Sequence, residues 1–497
     1  MKSNLLAVID SGTTGTRCTI YDNNLNTIGY HYIRNRNFYP FSGWVEQEPE
    51  TIYRNAVSVF NKAIKNAKID RDNIGMIGIT NQRETIIGWD KNTGIPIYNA
   101  IVWQDNRTAD LSKKMMRTGM EDAIRDKTGL LINPYFSALK IKWIIESKGL
   151  KKHELNNILF GTVDSWLIWK FSNGESFISD YSNSSRTMLM NIKTLEWDDE
   201  LLSYFKIERN NLPLISPSFG DLNIYAEKLG NIQITSVLGD QQSAMIGEGC
   251  LNFENTKITL GTGTFILQNI GKNSSIRKDG ILTTVAYGTS RNNVNFSLEG
   301  STQISGGIID WLIKNRMVRN IEEANRILSE EKDKGWDDDI YFVPSFNGLY
   351  SPYWDSTSRG LIVGISNNTN KRSIVMAAYE AIIFQIIDIL DSMNNTTGLL
   401  RVDGGLSQNH TLMQLLSNYL GREISVSINH EITSYGSAIA MISTENGLNT
   451  ELYDNYILKR NIFKPEKFDA EPRYKRWKEA VQRSMHWTNR NLKFRYY

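Results

Sequence analysis

The chain has 497 residues, with 36 Gly, 10 Pro, 2 Cys, 40% hydrophobic and 22% charged residues. That composition excludes a disordered, collagen-like or disulfide-stapled chain, and at roughly 100–200 residues per domain the length holds several domains with their own cores. The formal charge is +2, yet eight Lys/Arg and one Glu crowd residues 473–497. The rest is therefore net negative, a poor electrostatic match for nucleic-acid phosphates.

In chain order, residues 5–9 are an apolar run ending in Asp10 and the turn-forming Ser11-Gly12-Thr13-Thr14-Gly15. Residues 17–21 and 27–33 continue as strands, so the chain opens as a meander with a Gly/Thr hairpin at its first corner. Pro49-Glu50-Thr51 starts a helical pattern that runs to about Ala67. Residues 74–80 form the next strand and stop at Asn81-Gln82-Arg83-Glu84. A strand at 236–238 ends in Gly239-Asp240-Gln241-Gln242, where another helix pattern starts. Half a chain length after the first hairpin, strand 256–260, the turn Gly261-Thr262-Gly263-Thr264 and strand 265–269 repeat the same device. Strand 399–402 then ends in Asp403-Gly404-Gly405, with a helix pattern over 409–420. Two α/β halves facing one cleft are expected, 1–247 and 248–497, joined without a low-complexity linker.

The apolar stretch 374–389 is interrupted by Glu380 and Asp388 and reads as a buried core helix, not a membrane span. Tyr474, Trp477, Val481 and Ser484/Met485 share one stripe of a final helix, which either docks its aromatics or offers its bases to a membrane or nucleic acid. Cys18 and Cys250 form no CxxC pair, which fits a reducing compartment. The first ten residues hold too short an apolar run for a signal-peptide core. His31, His153, His410, His430 and His486 show no ligand spacing, so no zinc site is expected.

Three strand-to-turn junctions offer Gly and hydroxyl residues where backbone N–H groups can meet an anion. The turns at 10–14 and 261–264 could clasp a polyphosphate from two sides, Arg17 could add charge, and 403–405 could admit a flat ring against bare backbone. There is no GxxxxGK[ST], GxGxxG after a strand, GxSxG or HRD/DFG pair. Asp240, at a strand end, is either a base for a substrate hydroxyl or a helix N-cap. Asp10 is either a turn-former or a Mg²⁺ ligand. Arg83 and Glu84 suit neighbouring hydroxyls of a polyol, as donor and acceptor. Trp103 and Tyr135 are either core residues or a wall for a carbon skeleton.

Several of these segments together resemble the glycerol kinases, within the carbohydrate kinases of the actin and hexokinase superfamily. They are Asp10-Ser11-Gly12-Thr13-Thr14-Gly15-Thr16-Arg17, Gly78-Ile79-Thr80-Asn81-Gln82-Arg83-Glu84-Thr85 and Tyr98-Asn99-Ala100-Ile101-Val102-Trp103-Gln104. Gly161-Thr162-Val163-Asp164-Ser165-Trp166-Leu167, Ser185-Arg186-Thr187-Met188-Leu189, Gly239-Asp240-Gln241-Gln242 and Pro352-Tyr353-Trp354-Asp355 extend the match over nearly the whole chain. The resemblance implies an α/β fold of two ribonuclease-H-like (actin-like ATPase) domains around a central cleft. It also implies a cytoplasmic enzyme, homodimeric or homotetrameric, that uses ATP and Mg²⁺ to convert glycerol to sn-glycerol 3-phosphate. Thr13, Thr14, Gly15, Arg17, Thr262, Gly306, Gly405 and Asn409 would line the nucleotide, with Asp10 at the metal. Arg83, Glu84, Trp103, Tyr135, Asp240, Gln241 and Phe265 would line glycerol, with Asp240 the base. Ser11 and Asp310 stand where that family often has Gln, and residues 220–239 lack the Gly/Arg-rich insert that binds a sugar bisphosphate inhibitor in some bacterial members. A kinase for a larger ketose and an actin- or chaperone-like interaction protein are the competing readings.

Overall fold

Each half opens on an apolar strand, a Gly/Thr turn and a second strand, and each hairpin grows into a sheet of the same order. The computed structural model describes residues 5–331, 339–429, 431–443, 448 and 459–489. His430 and the last part of the basic segment, 490–497, lie outside the described residues. In the first half β1 (Leu5–Ser11) pairs antiparallel with β2 (Gly15–Tyr21), and β2 with β3 (Thr27–Arg34). On its other side β1 lies parallel to β4 (Ile74–Asn81). The edge strand β5 (Phe219–Ala226) pairs antiparallel with β6 (Ile232–Gly239), which lies parallel to β4.

The second half repeats this scheme. Its hairpin is β7 (Thr256–Leu260) and β8 (Thr264–Asn269), antiparallel to each other. The edge strand β9 (Leu282–Ser290) pairs with β10 (Asn293–Thr302), which pairs antiparallel with β8. Then β11 (Leu400–Asp403) lies parallel to β7, β12 (Ile424–Ser427) parallel to β11, and β13 (Arg460–Phe463) closes the edge. Without the edge strands β5, β9 and β13, the orders are β3-β2-β1-β4-β6 and β10-β8-β7-β11-β12. The echoed turn in the sequence is thus one corner of a duplicated five-strand core.

Helices cover the sheets. α1 (Pro49–Ala67) buries Ile52, Ala56, Val59, Phe60 and Ala63, the three-and-four spacing of one helix face, and ends on Lys68 in the left-handed region. α2 (Ser137–Lys148), α3 (Asp240–Gly247) and α4 (Gly306–Lys314) each follow a turn at the site. α5 (Lys371–Met393) is long and apolar enough to cross a membrane, but lies buried in the core. α6 (His410–Leu420) follows β11, and α7 (Ile432–Ile442) follows β12. α8 (Glu471–Ser484) buries Trp477, Val481 and Ser484, and Trp477 Nε1 donates to Asp388 at 2.8 Å. The aromatic stripe is therefore docked on α5, the plainer of the two readings of that segment.

The halves are not independent bodies. α7, from the second half, packs on α3 and on β1, β4 and β6 of the first. Ser243 Oγ donates to the Thr433 carbonyl at 2.7 Å, and the crossing is possible because both helices carry glycine there. A Cβ on Gly436 would stand 1.7 Å from the Ser243 carbonyl oxygen. The first sheet is drawn from residues 5–239 and the second from residues 256–463, and α7 crosses from the second half onto the first.

Candidate active site

β1 ends in Asp10 and Ser11, and the turn that follows is tied down from behind. Asn35 Nδ2 donates to the Gly12 carbonyl, the Asn35 N–H to Thr14 and Gln47 Nε2 to Thr13, at 2.8, 2.9 and 2.9 Å. Thr13 Oγ1 accepts from Trp103 Nε1 at 2.8 Å, and the Thr14 side chain is exposed. Gly15 has a packing reason of its own, since a Cβ there would lie 2.1 Å from the Tyr32 ring. Arg17 is turned to carboxylates rather than standing free over the turn. Its Nε lies 3.2 Å from Asp10, and Nη1 donates to both oxygens of Glu431 at 3.2 and 3.0 Å. The buried Asp10 draws it there, and Glu431 comes from the second half.

The second turn is held by backbone. The N–H groups of Ser305 and Gly307 donate to the Thr262 carbonyl and that of Gly306 to Gly261, so the start of α4 is sewn to the hairpin. Gly404, at φ +95°, passes so close beneath β7 that a Cβ would stand 2.5 Å from the Leu260 carbonyl oxygen. Thr262 and Gly405 are exposed, and Gly405 faces open space. Asn409 caps α6 through the Leu412 N–H and donates to Asn325 at 2.8 Å, so its side chain is already engaged. Asp310 is exposed on α4.

Between the halves lies a cavity of about 120 Å³. It is small beside the roughly 300–1,000 Å³ of pockets for drug-sized ligands, so it suits a compact molecule. Arg83, Glu84, Trp103, Tyr135, Asp240, Gln241 and Phe265 all line it, joined by Thr13 of the first turn. Seven residues scattered from 83 to 265 thus meet in one space. Trp103 packs edge-on against Tyr135 and Phe265 with centroids 5.6 and 5.7 Å apart, and Phe265 is supplied by β8 of the second half.

The polar wall is strained and charged. Glu84 follows β4 in a tight turn with φ +55°, a conformation that side-chain-bearing residues keep only where neighbours enforce it. Ser137 Oγ and Lys140 Nζ, both on α2, donate to its carbonyl at 3.1 and 3.4 Å, and Lys140 also holds the Tyr135 carbonyl at 2.6 Å. Burial lowers the Lys140 ammonium to about 8, with the charges of Glu84 and Asp105 opposing. Gly239 takes the cap position of α3, which leaves Asp240 as its first residue, with a carboxylate that accepts the Gln241 N–H at 2.7 Å. Its side chain is 26% exposed and lies 3.6 Å from Arg83 Nε. Burial pushes Asp240 up to about 6 against the pull of Arg83. Burial likewise pushes Asp10 up to about 7, against Arg17 and with the charge of Asp240 adding to the rise.

Sequence reasoning missed the residues behind this wall: Lys140, Lys257 (which bonds Gln241) and Glu299 (which bonds Arg83). A usable signal was present. Each is a lone charge in an otherwise apolar or hydroxyl-bearing strand or helix face, and such a charge is rarely buried without a partner.

The arrangement offers a carboxylate beside an arginine–glutamate pair, an apolar bracket, and Thr13 of the first turn at the same cavity. The chain matches the N-terminal domain of the FGGY family of carbohydrate kinases over residues 5–247 and the C-terminal domain over 256–444. It is 41% identical to a glycerol kinase of Clostridium perfringens, over 98% of this chain and 99% of that one. It is similar to the crystal structure of Plasmodium falciparum glycerol kinase with ADP, with a TM-score of 0.87 and 34% identity over 97% and 98% of the two chains. A xylulose kinase from Lactobacillus acidophilus shares the fold, with a TM-score of 0.82 at 19% identity over 98% and 97% of the chains.

Proposed function

Since the chain belongs to the FGGY family of carbohydrate kinases, we propose that it transfers the γ-phosphoryl group of ATP to glycerol, with Asp240 as base. The observation that carries this is the presence of Thr13, from the first turn, in the same small cavity as Asp240, Arg83 and Glu84. A phosphate held at that turn would stand next to a molecule held in the cavity. The full-length similarity to glycerol kinases supports the choice of acceptor.

Arg83 donates to, and Glu84 accepts from, adjacent hydroxyls, while Trp103 and Phe265 border the carbon chain. The remaining hydroxyl oxygen attacks the γ-phosphorus, its proton passes to Asp240, and the bond from the γ-phosphorus to the β–γ bridging oxygen breaks to release ADP. A carboxyl near 6 is ionised at neutral pH and can receive that proton. Positioning and charge carry most of such a transfer, because the transition state is loose. Thr13, Thr14 and Gly15 would face the nucleotide from the first half and Thr262, Gly306, Gly405 and Asn409 from the second, with Arg17 released from Glu431 to the phosphates. Mg²⁺ takes one or two carboxylates together with phosphate oxygens and water, and the buried Asp10 fits that donor set. When bound it would neutralise phosphate charge.

A phosphotransfer assay with ATP–Mg²⁺ over glycerol, other polyols and pentuloses tests the reading. Glycerol should be the preferred acceptor, and comparable efficiency on a pentulose would sink it.

A further inference from the structure

Behind the cavity, four charged side chains form a closed ring, and only two of them reach the cavity. Arg83 and Glu84 line it, while Arg186 and Glu299 do not. All four are buried. Glu299 stands on β10 of the second half, and its two oxygens accept from Arg83 Nη1 and Nη2 at 2.7 and 2.9 Å. Arg186 completes the circuit. Its Nε donates to Glu84 at 2.7 Å, its Nη2 lies 3.1 Å from Glu299, and its guanidinium sits 5.5 Å from the centre of the Tyr135 ring. The last gap, from Arg83 Nε to Glu84, is 4.0 Å.

A ring of this kind is a poor way to stabilise a fold. Four ions are withdrawn from water, and apolar residues of similar volume often do as well or better. The terminal nitrogens of Arg186 complete no hydrogen bond of good geometry, which adds to that cost. What the ring does well is fix orientation. A fork gripped at both prongs leaves the Arg83 guanidinium a single plane and aims its Nε toward Asp240. Glu84, already held in the left-handed region by Ser137 and Lys140 at its carbonyl, has its carboxylate fixed by Arg186.

We propose that Arg186 and Glu299 are positioning residues that set acceptor specificity. They hold Arg83 and Glu84 in the geometry that meets neighbouring hydroxyls. Because Glu299 belongs to the second half, the acceptor site is complete only when the halves are docked. This inference rests on the reading of the cavity as the glycerol site.

Steady-state kinetics on the full chain, varying glycerol and ATP separately, test it in the unaltered protein and in Glu299→Gln, Glu299→Asp and Arg186→Lys. Loss of a charged hydrogen-bond partner should raise the glycerol KM of Glu299→Gln roughly 10- to 100-fold. The ATP KM should stay within about twofold, a split that a general loss of structure does not produce. Glu299→Asp should restore part of the loss, and Arg186→Lys, with charge but no fork, should raise the same constant to a smaller degree. If Glu299→Gln does not fold, Arg186→Lys decides. An unchanged glycerol KM in the folded variant, or equal rises for both substrates, overturns the proposal. An unaltered chain that fails to phosphorylate glycerol overturns the acceptor reading and this inference with it, whereas a working chain with indifferent variants overturns this inference alone.

Discussion

The cavity and the two Gly/Thr turns are built by different means. The cavity wall is side chain: a strained glutamate, an arginine, the Asp240 carboxylate and an aromatic bracket, backed by the buried Arg186 and Glu299 and tied together across both halves. The turns are held by backbone. Hairpin turns are pinned from behind by Asn35, Gln47 and the start of α4, with Thr14, Thr262 and Gly405 exposed at the front. A neutral polyol offers only hydroxyls, so recognising it takes directed donors and acceptors held still. A polyphosphate brings its own charge, and turns with approachable backbone suffice. If the cavity takes the acceptor and the turns take the nucleotide, as proposed, the two substrates should respond to different kinds of damage.

The largest effect should come from the acceptor itself. A site that pairs each hydroxyl strands buried groups when one is missing, and such sites discriminate by about 10⁴–10⁵. Propane-1,2-diol should therefore fall orders of magnitude below glycerol in kcat/KM, and near-equal values would mean that the charged wall does not read hydroxyls. Next comes the proposed base. Asp240→Asn keeps the size and a hydrogen bond but cannot take the proton, so kcat and kcat/KM should drop together by about 10²–10⁴ with ATP affinity little changed. A folded variant with near-normal kcat would leave Asp240 a structural role only.

On the turn side the damage must be done to backbone. Gly404→Ala sets a Cβ against the Leu260 carbonyl at φ +95°, which should cost about 1–3 kcal/mol of stability. The melting temperature and the ATP KM should shift while the glycerol KM holds, and the reverse pattern would collapse the distinction between the two walls.

A pH profile separates them more finely. If Asp240 is the base it must be ionised to act, and burial pushes its carboxyl up to about 6, so kcat/KM for glycerol should climb about tenfold per pH unit below 6 and level off above it. A profile flat down to pH 5 would remove Asp240 as the titrating base. The smallest effect should be at the seam. Trp103→Phe keeps a ring in the aromatic bracket while it trims the indole and loses the 2.8 Å bond to Thr13 that joins cavity wall to turn. A net hydrogen bond is worth about 1 kcal/mol, so both KM values should rise only about fivefold. A rise confined to one substrate would show that the seam belongs to that side alone.

Sequence by itself determined what depends on near neighbours. Apolar runs, turn residues and helix periodicity are local, so the two hairpins, the span of α1, the strand ends that carry Arg83, Glu84 and Asp240 and the aromatic stripe of α8 were legible, while the docking of that stripe on α5 was not. Trp103 and Tyr135 were legible as core or wall, and the resemblance to glycerol kinases added Gln241 and Phe265. Tertiary structure alone decided what depends on distant partners. Glu299 meets Arg83 216 positions away, and Arg17 meets Glu431 414 positions away. Gly15 owes its identity to the Tyr32 ring. The packing of α7 beneath the first sheet rests on Gly436 clearing Ser243. The physical reason is that a buried charge or a bare backbone crossing is satisfied by whatever the fold brings beside it. Local sequence shows that a charge or a glycine stands at such a position, while only the closed chain supplies its partner.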